Sequence, residues 1–372
     1  MSGINGHTSA PVLAQRDLLA APFPVWRDTL RRAVLDALTG FVDNRCTADL
    51  GPAGVDVAAR MLRLLVDGGK CLRSTFLYLG WRCDADDDTG AVRAAASFEL
   101  LHAFALLQDD VMDGSALRRG RPAAHVIFAQ WHRDRTLSGP ADRFGEAAAV
   151  LLGDLCLVWA EQMLRESGLS AAALGRAWPR YDAMRTELAV GQFADLVNDA
   201  AEFPDWDRVL DVLRRKSGNY TVRRPLEIGA AMAGCSPAVM QMLGEYGAAV
   251  GEAFQLRDDV LGIFGSPEVT GKPAGSDLTE HKATSVVVAA HRLADSAVRR
   301  ELAELMRTAD LGDADIDRWR SLIVSTGAVE YVERLIDSRR SRALELLSDS
   351  PLDATLSTAL AETATACCDR AA

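Results

Sequence analysis

The sequence lacks a surplus of basic residues and lacks any closely spaced cysteine motif. Its 372 residues carry 41 Lys and Arg against 52 Asp and Glu, a formal net charge of −11. Proteins that bind nucleic acid usually carry a basic surplus that neutralises phosphates, so no nucleic-acid partner is expected. The seven cysteines show no CxxC spacing, which favours reduced thiols over a disulfide framework or a zinc site.

Targeting signals and nucleotide-binding loops are also missing from the sequence. Residues 1–16 contain no cationic stretch followed by an apolar one, so no signal peptide is predicted. The best candidate for a membrane span, residues 147–164, is interrupted by Asp154 and Glu161 and is predicted to be a buried helix. The absence of a GxxxxGK loop followed by Ser or Thr argues against a P-loop NTPase. We expect a cytoplasmic protein without a transmembrane segment.

Long segments rich in Ala and Leu dominate the chain and predict an all-α fold. Apolar residues recur at three- and four-residue steps, as on one face of a helix, and alternating strand patterns are missing. We expect a mobile segment at residues 1–20, and at 21–372 one helical bundle whose active-site cavity lies between central helices. The clearest helical windows are residues 26–46, 91–113, 143–167 and 239–265.

Three aspartates stand close together at the end of one apolar helical window. They form the motif Asp109-Asp110-Val111-Met112-Asp113. On a helix, residues four apart share a face, so Asp109 and Asp113 lie side by side with Asp110 nearby. Such carboxylates repel one another unless a cation binds them, and Mg²⁺ prefers oxygen ligands. A solvated helix end explains an isolated motif of this kind equally well.

A second acidic pair and several basic residues make a surface explanation less attractive. Asp258 and Asp259 end another apolar helical window, and two such helices facing each other would hold Mg²⁺ ions around a diphosphate. Each basic residue taken alone is most simply a surface charge. They stand at glycine-containing or polar breaks: Lys70, Arg73, Arg118, Arg119, Lys216, Lys272 and Lys282.

Taken in order, these motifs resemble those of the trans-isoprenyl diphosphate synthases, the all-α prenyltransferases that make farnesyl and geranylgeranyl diphosphate. The resemblance covers about residues 60–290. One aspartate motif is weak evidence, whereas this ordered set is specific. Its parts are Gly68-Gly69-Lys70 with Arg73, Glu99 to His102, Asp109 to Asp113, Arg118 to Pro122, Gly191 to Leu196, Lys216-Ser217-Gly218, Phe254 to Asp259, and Gly271-Lys272-Pro273 followed by Lys282.

The resemblance implies a role for each of these positions. Aspartates would bind three Mg²⁺ ions per active site: Asp109, Asp113 and Asp258, with Asp110 and Asp259 assisting. One basic group would hold the allylic diphosphate: Arg118, Lys216 and Lys272, with Lys282 nearby. A second basic group would hold isopentenyl diphosphate: Lys70, Arg73, His102 and Arg119. Gln255 would lie near the reacting carbons and stabilise positive charge there.

Product length depends, in this family, on the bulk of two residues before the first motif. Phe104 is the fifth residue before Asp109 and Ala105 is the fourth. One aromatic residue at the fifth position resembles the geranylgeranyl enzymes, whereas aromatic residues at both resemble the farnesyl enzymes. We therefore expect a C20 product, with farnesyl diphosphate as the alternative. Phe104 can also be read as an ordinary core residue.

The sequence departs from the family pattern at four positions. Gly262 stands where many relatives have the third aspartate of the second motif, Cys71 replaces a common Arg and Ser74 a common Pro. We expect these changes to weaken metal or isopentenyl diphosphate binding. His281 beside Lys282 is also unusual.

Two other functions share this fold. A terpene cyclase needs no isopentenyl diphosphate site, and the second basic group argues against it. A non-catalytic partner subunit would be expected to lose aspartates of the first motif, which are intact. Since the family usually forms homodimers, a homodimer is expected here.

Overall fold

The computed structural model is almost entirely helical, which confirms the predicted all-α fold. It describes residues 17–53, 55–66, 68–86, 88–199, 203–266 and 275–369. Within these ranges the only strands are β1 (Leu117–Arg118) and β2 (Arg121–Pro122), which pair antiparallel in a short hairpin. The absence of alternating apolar and polar residues had already argued against a larger sheet.

The helices follow one another with short connections. They are α1 (Phe23–Arg45), α2 (Asp56–Val66), α3 (Leu72–Trp81), α4 (Thr89–Met112), α5 (Ala124–Asp134), α6 (Ala141–Arg165), α7 (Ala171–Asp199), α8 (Trp206–Val212), α9 (Arg224–Ala233), α10 (Pro237–Phe264), α11 (Ser276–Thr279), α12 (Ser285–Leu293), α13 (Ser296–Arg307), α14 (Asp313–Ser325), α15 (Ala328–Ser348) and α16 (Ala354–Cys368). Two π-helical segments, Cys46–Leu50 and Leu213–Arg223, extend α1 and α8.

All four predicted helical windows coincide with helices, namely α1, α4, α6 and α10, to within about three residues at each end. Of the segment 1–20 that is expected to be mobile, residues 1–16 lie outside the described ranges. Leu18 and Leu19 are buried in a 3₁₀ turn, so the packed chain begins before residue 21.

Helix α4 carries the first acidic motif and lies at the centre of the packing. It contacts α1, α3 and α6, and thirteen of its 24 residues are buried. A helix that is apolar on nearly all sides must be covered on nearly all sides.

By length and composition, α4 and α6 are the two described helices that would be able to cross a membrane. Of the most apolar 18-residue window in each helix, 67% is buried in α4 and 44% in α6.

Helices α3 and α9 pack so closely that only glycine fits between them. A Cβ atom on Gly229 would lie 1.9 Å from the carbonyl oxygen of Leu77, and one on Gly80 would lie 2.2 Å from that of Leu226. No carbon atom approaches a carbonyl oxygen at these distances, so a side chain would force the helices apart. The contact fixes the position of α3, which carries Arg73 into the site described below.

We expect Gly229→Ala to destabilise the protein by about 1–3 kcal/mol, because overpacking displaces backbone. Gly40 is the control: it lies on the exposed face of α1 with nothing within 4 Å of its Cβ position. Gly40→Ala should therefore be neutral or stabilise the helix by about 0.5–1 kcal/mol. Equilibrium urea unfolding compares the two variants, and equal effects would contradict the close packing of α3 and α9.

Candidate active site

A cavity of about 790 Å³ opens between α3, α4, α7, the Leu213–Arg223 segment, α10 and residues 275–284. Most of the residues that the sequence nominated line it: Lys70, Arg73, His102, Ala105, Asp109, Arg118, Arg119, Lys216, Gln255, Asp258, Asp259 and Lys282. Asp110, Asp113 and Phe104 do not line it, and Phe104 instead packs against the hydrophobic core. Lys272 lies outside the described residues.

Every aspartate of the first motif is paired with a cation from another part of the chain. Asp109 Oδ1 lies 3.0 Å from Lys216 Nζ. Arg118 Nε donates to Asp110 Oδ1 at 2.8 Å, and its Nη2 lies 3.5 Å from Asp109 Oδ2. Lys282 Nζ donates to Asp113 Oδ2 at 2.7 Å. The carboxylates and cations of this site therefore neutralise one another.

These pairs favour the charged forms of Asp109, Lys216 and Lys282 although the site is buried. Burial alone would raise the pKa of Asp109, but Lys216, Lys282 and Arg118 together hold that pKa below its ordinary value. Burial opposes the charge of Lys216, yet Asp109 and Asp195 raise its pKa. The pKa of Lys282 is raised in the same way, against burial, by Asp113 and Glu280.

Lys216 reaches Asp109 because three glycines let the surrounding helices approach closely. A Cβ atom on Gly191 would lie 2.7 Å from the backbone nitrogen of Lys216. A Cβ atom on Gly218 would lie 2.9 Å from the backbone of Gly251. The Leu213–Arg223 segment therefore packs closely against both α7 and α10. Asp195 of α7 accepts a hydrogen bond from Lys216 Nζ at 2.5 Å and fixes its ammonium group.

Lys282 is held in place by a short turn that is itself anchored to another helix. Its Nζ lies 2.9 Å from Glu280 Oε2 in addition to Asp113. The preceding residue, His281, has φ of 53°, in the left-handed region that favours glycine. The Nε2 atom of His281 lies 2.8 Å from the carbonyl oxygen of Thr308, so the unusual histidine ties this turn to the end of α13.

The two aspartates of the second motif have different environments. Asp258 is exposed to the cavity, whereas Asp259 is buried. Asp259 accepts hydrogen bonds from Ser285 N (3.0 Å), Ser285 Oγ (2.6 Å) and Gln255 Nε2 (2.9 Å). Burial raises the pKa of Asp259 to about 6 despite these bonds. Gln255 and Asp259 therefore contact each other within α10, and the bonds from Ser285 to Asp259 join α10 to α12.

A second basic group lies around the start of α3. Arg73 Nη2 donates to Thr221 Oγ1 at 3.0 Å, and its guanidinium stacks 4.3 Å from the centre of the Tyr220 ring. Burial, together with Arg73, Arg119 and Arg118, lowers the pKa of His102 well below its ordinary value. A neutral imidazole beside arginines leaves this end of the cavity suited to an anion.

Comparison with known proteins explains why these groups lie together. The family model for polyprenyl synthetase matches residues 55–323. The chain belongs to the polyprenyl synthetase family. It is therefore a prenyltransferase of the polyprenyl diphosphate synthase class.

Individual relatives match over most of their length. A geranylfarnesyl diphosphate synthase from Aeropyrum pernix is 34% identical over 295 residues, 78% of this chain and 86% of that protein. A geranylgeranyl diphosphate synthase from Mycobacterium tuberculosis is 33% identical over 285 residues, 76% of this chain and 75% of that protein. The crystal structure of a geranylgeranyl pyrophosphate synthase from Corynebacterium glutamicum, complexed with isoprenyl diphosphate and magnesium, has a TM-score of 0.88 and 34% identity, covering 93% of this chain and 99% of that one.

Two departures from the polyprenyl synthetase pattern have clear structural consequences. Ser74 Oγ lies 2.7 Å from Glu99 Oε1 and 2.8 Å from the carbonyl oxygen of Ala95, so it joins α3 to α4. Cys71 has φ of 48° at the start of α3, and burial raises the pKa of its thiol. The thiol therefore stays protonated and adds no charge at this position.

The donor set suits a hard divalent cation. Carboxylate oxygens from Asp109 on α4 and Asp258 on α10 face the same cavity. Asp109 Oδ1 is buried, and although Lys216 is close, its geometry gives that oxygen no hydrogen bond. Oxygen ligands of this kind fit Mg²⁺. In the part of the chain that the structure describes, no three candidate ligands are already gathered around one point.

Sequence reasoning missed several residues that position the nominated ones. Asp195, Glu280 and Ser285 bind Lys216, Lys282 and Asp259 respectively. Asp195 stands within the Gly191 to Leu196 motif, so the sequence marked the residue but did not predict its ion pair with Lys216. Glu280 and Ser285 carried no recognisable signal.

Proposed function

We propose that this prenyltransferase joins an allylic diphosphate to isopentenyl diphosphate in a Mg²⁺-dependent reaction and that its main product is geranylgeranyl diphosphate. The observation that carries the proposal is the presence of two separate cationic groups in one cavity. The first, Arg118, Lys216 and Lys282, is paired with the aspartates of the first motif. The second surrounds Arg73, which contacts Thr221 and Tyr220, and His102, which lies close to Arg73, Arg118 and Arg119.

The first group would bind the allylic diphosphate and assist its departure. Breaking the bond between C1 and oxygen leaves an allylic cation and a diphosphate anion. Asp109, Asp113 and Asp258 would hold Mg²⁺, which would neutralise part of the charge that develops on the leaving group. Arg118 and Lys216 act on the same charge through hydrogen bonds that strengthen as it grows.

The second group would hold the diphosphate of isopentenyl diphosphate, so that its double bond faces the allylic C1. A carbon–carbon bond then forms between the double bond of isopentenyl diphosphate and the allylic C1. Loss of a proton from C2 of isopentenyl diphosphate restores a double bond. The products are an allylic diphosphate longer by five carbons, inorganic diphosphate and a proton. His102 is neutral, because burial and the neighbouring arginines lower its pKa, and would contact this diphosphate as an uncharged group.

The remaining wall of the cavity is apolar and suits a growing hydrocarbon tail. It includes Ala105, Leu106, Leu188, Val209, Val212, Leu213 and Phe254. The relatives differ in the product that their names record, with geranylfarnesyl in one and geranylgeranyl in another. The single aromatic residue at Phe104 and the small Ala105 support the C20 product.

A terpene cyclase is less well supported because it has no use for a second diphosphate site. Binding of three Mg²⁺ ions in each site is part of the proposal and follows from the same family resemblance. The two acidic motifs of this chain lie on α4 and α10, and Asp109 and Asp258 both line the cavity.

Asp109→Asn should lower elongation at least about a hundredfold, because the charge that binds Mg²⁺ is lost from the site. The assay incubates purified protein with isopentenyl diphosphate, Mg²⁺ and geranyl or farnesyl diphosphate. EDTA should abolish elongation by the unchanged protein. Asp49→Asn, in the first π-helical segment, is the control and should leave the rate unchanged. Cyclic hydrocarbons formed without isopentenyl diphosphate would instead indicate a cyclase.

Ala105→Phe should shift the product toward C15, because a ring on the cavity wall shortens the space for the tail. Phe104→Ala should shift the product toward chains longer than C20, because loss of the ring from the core leaves space next to the cavity wall at Ala105. Chromatography of the dephosphorylated products measures both shifts. Ala172→Phe on the exposed surface of α7 is the control and should leave product length unchanged. If Phe104→Ala gives the same products as the unchanged protein, Phe104 does not limit chain length.

The homodimer that the resemblance implies is supported by an apolar surface on α6 and α7. Leu151 and Val158 on α6 are 68% and 60% exposed, and Phe193 and Val197 on α7 are 74% and 62% exposed. Glu161 and Arg185 join the two helices at 3.1 Å. Exposed apolar residues on neighbouring helices are typical of a surface that another protein covers.

Val158→Asp combined with Phe193→Asp should convert the dimer to a monomer, since each introduced charge would be buried in the interface. Light scattering coupled to size-exclusion chromatography gives the mass. Val25→Asp is the matched control, because Val25 is 55% exposed on α1. A monomeric unchanged protein, or a dimer that survives the double substitution, would contradict this assignment.

A further inference from the structure

The segment that leads into α3, residues 68–71, has a strained backbone. Gly68, Gly69 and Cys71 have φ of 101°, 97° and 48°, all in the left-handed region that favours glycine. Three such residues within four positions make a conformation that a free chain rarely adopts, so contacts from elsewhere must hold it. The segment is also part of the active site, because Gly69, Lys70 and Cys71 line the cavity.

A side chain of α1 holds this segment at one end. Arg31 Nε donates to the carbonyl oxygen of Gly69 at 2.7 Å, although 38 residues separate the two along the chain. Helix α3 holds the other end, because the carbonyl oxygen of Cys71 accepts hydrogen bonds from Thr75 N at 2.9 Å and Thr75 Oγ1 at 2.8 Å. Lys70 therefore lies between a residue fixed by α1 and a residue fixed by α3.

Helix α1 is a rigid support for Arg31. Its buried residues recur every four positions and form one apolar stripe along the helix. This stripe belongs to the main hydrophobic core, and α1 contacts α4, the helix that carries the first acidic motif. Arg31 directly follows Leu30, which is 1% exposed, so the packing of the stripe fixes the backbone from which the arginine extends. The members of the stripe are Trp26, Leu30, Val34, Leu38 and Val42.

Gly69 also contacts a cation of the second basic group. A Cβ atom on Gly69 would lie 3.5 Å from Arg119 Nη2 and 3.8 Å from its Nη1, so the guanidinium of Arg119 lies directly against this glycine. Arg119 lines the cavity as well. The position of Gly69 therefore affects two cations of the group, Lys70 through the chain and Arg119 through contact.

A second arginine on α1 differs from Arg31 in its contacts but not in its charge. Burial raises the pKa of the Cys71 thiol, and Arg31 and Arg27 both oppose that rise, so both act on the start of α3. Arg27 stands four residues before Arg31 and shares its face of the helix. The described contact of Arg27 is with the ring of Phe23, whose centre lies 5.7 Å from its guanidinium carbon. The hydrogen bond to Gly69 thus distinguishes Arg31 from an arginine of the same charge nearby.

We propose that Arg31 is a positioning residue for the isopentenyl diphosphate site and acts through its hydrogen bond to Gly69. That bond fixes the places of Lys70 and Arg119. The inference rests on the proposed function, which assigns isopentenyl diphosphate to the second basic group. Arg31 does not itself line the cavity, so it acts on the segment 68–71 rather than on the substrate. Without this bond a strained segment loses its anchor, and the cations that hold the diphosphate are displaced.

Steady-state kinetics tests the proposal because it measures the two substrates separately. Arg31→Met should raise the KM for isopentenyl diphosphate about tenfold or more, as the loss of a charged hydrogen bond typically does. The KM for geranyl diphosphate and kcat should change less than about threefold, since the groups that act on the allylic substrate are untouched. The control is Arg27→Met, which removes the same charge from the same face of α1 and should leave both KM values nearly unchanged.

A double-variant cycle shows whether Arg31 acts through the segment 68–71. Gly69→Ala puts a Cβ atom against Arg119 on a residue with φ of 97°, and should also raise the KM for isopentenyl diphosphate. Because both substitutions displace one segment, Arg31→Met combined with Gly69→Ala should raise that KM little beyond the larger single effect. Circular dichroism confirms that each variant is folded. Arg31→Lys, which keeps a charged donor in a different geometry, takes the place of Arg31→Met in the same cycle should that variant fail to fold.

The proposal is overturned if folded Arg31→Met keeps the KM of the unchanged protein for isopentenyl diphosphate, or raises the KM values of both substrates equally. An effect of Arg27→Met as large as that of Arg31→Met would also overturn it, since charge alone would then explain the result. So would effects of Arg31→Met and Gly69→Ala that multiply in the double variant, because independent sites behave in that way. Failure of the unchanged protein to elongate geranyl diphosphate would instead contradict the proposed function, a result distinct from all of these.

Discussion

The ion pairs between the first acidic motif and cations from three other elements hold the site together. Asp109, Asp110 and Asp113 sit at the end of a buried helix, where unpaired carboxylates would cost several kcal/mol each. Arg118 and Lys216 come from the β-hairpin and the second π-helical segment, and Lys282 comes from the turn after α11. Each pair therefore fixes one wall of the cavity relative to α4, and the pKa values of Asp109, Lys216 and Lys282 are shifted toward their charged forms.

The same pairing governs how the site would bind its ligands. A divalent cation alone must compete with Lys216 and Lys282 for the aspartates, and a diphosphate alone must compete with the aspartates for those lysines. If both bind together, each carboxylate would exchange a lysine for a metal ion and each lysine would exchange a carboxylate for a phosphate. Little charge is then left unpaired at any stage. This balance explains how an acidic chain of net charge −11 accommodates two anionic substrates.

The sequence was sufficient for features that depend on neighbouring residues. Helical periodicity located α1, α4, α6 and α10, and motif spacing located most of the residues that line the cavity. Contacts between distant segments were beyond it. The hydrogen bond from Arg31 to Gly69 joins residues 38 positions apart, and the π-helical backbone around Lys216 depends on packing between glycines of three segments. Phe104 was expected at the cavity wall, but Ala105 is the residue found there, because one step along a helix turns a side chain by about 100°.

Metal and diphosphate would bind this site together, because each releases the ion-pair partner of the other. The affinity of the protein for Mg²⁺, measured by calorimetry with and without saturating bisphosphonate and corrected for binding between the two ligands alone, tests this coupling directly. Bisphosphonate should strengthen Mg²⁺ binding by about 5- to 150-fold, the usual range of such coupling. Equal Mg²⁺ affinity under both conditions would show that the two ligands bind independently.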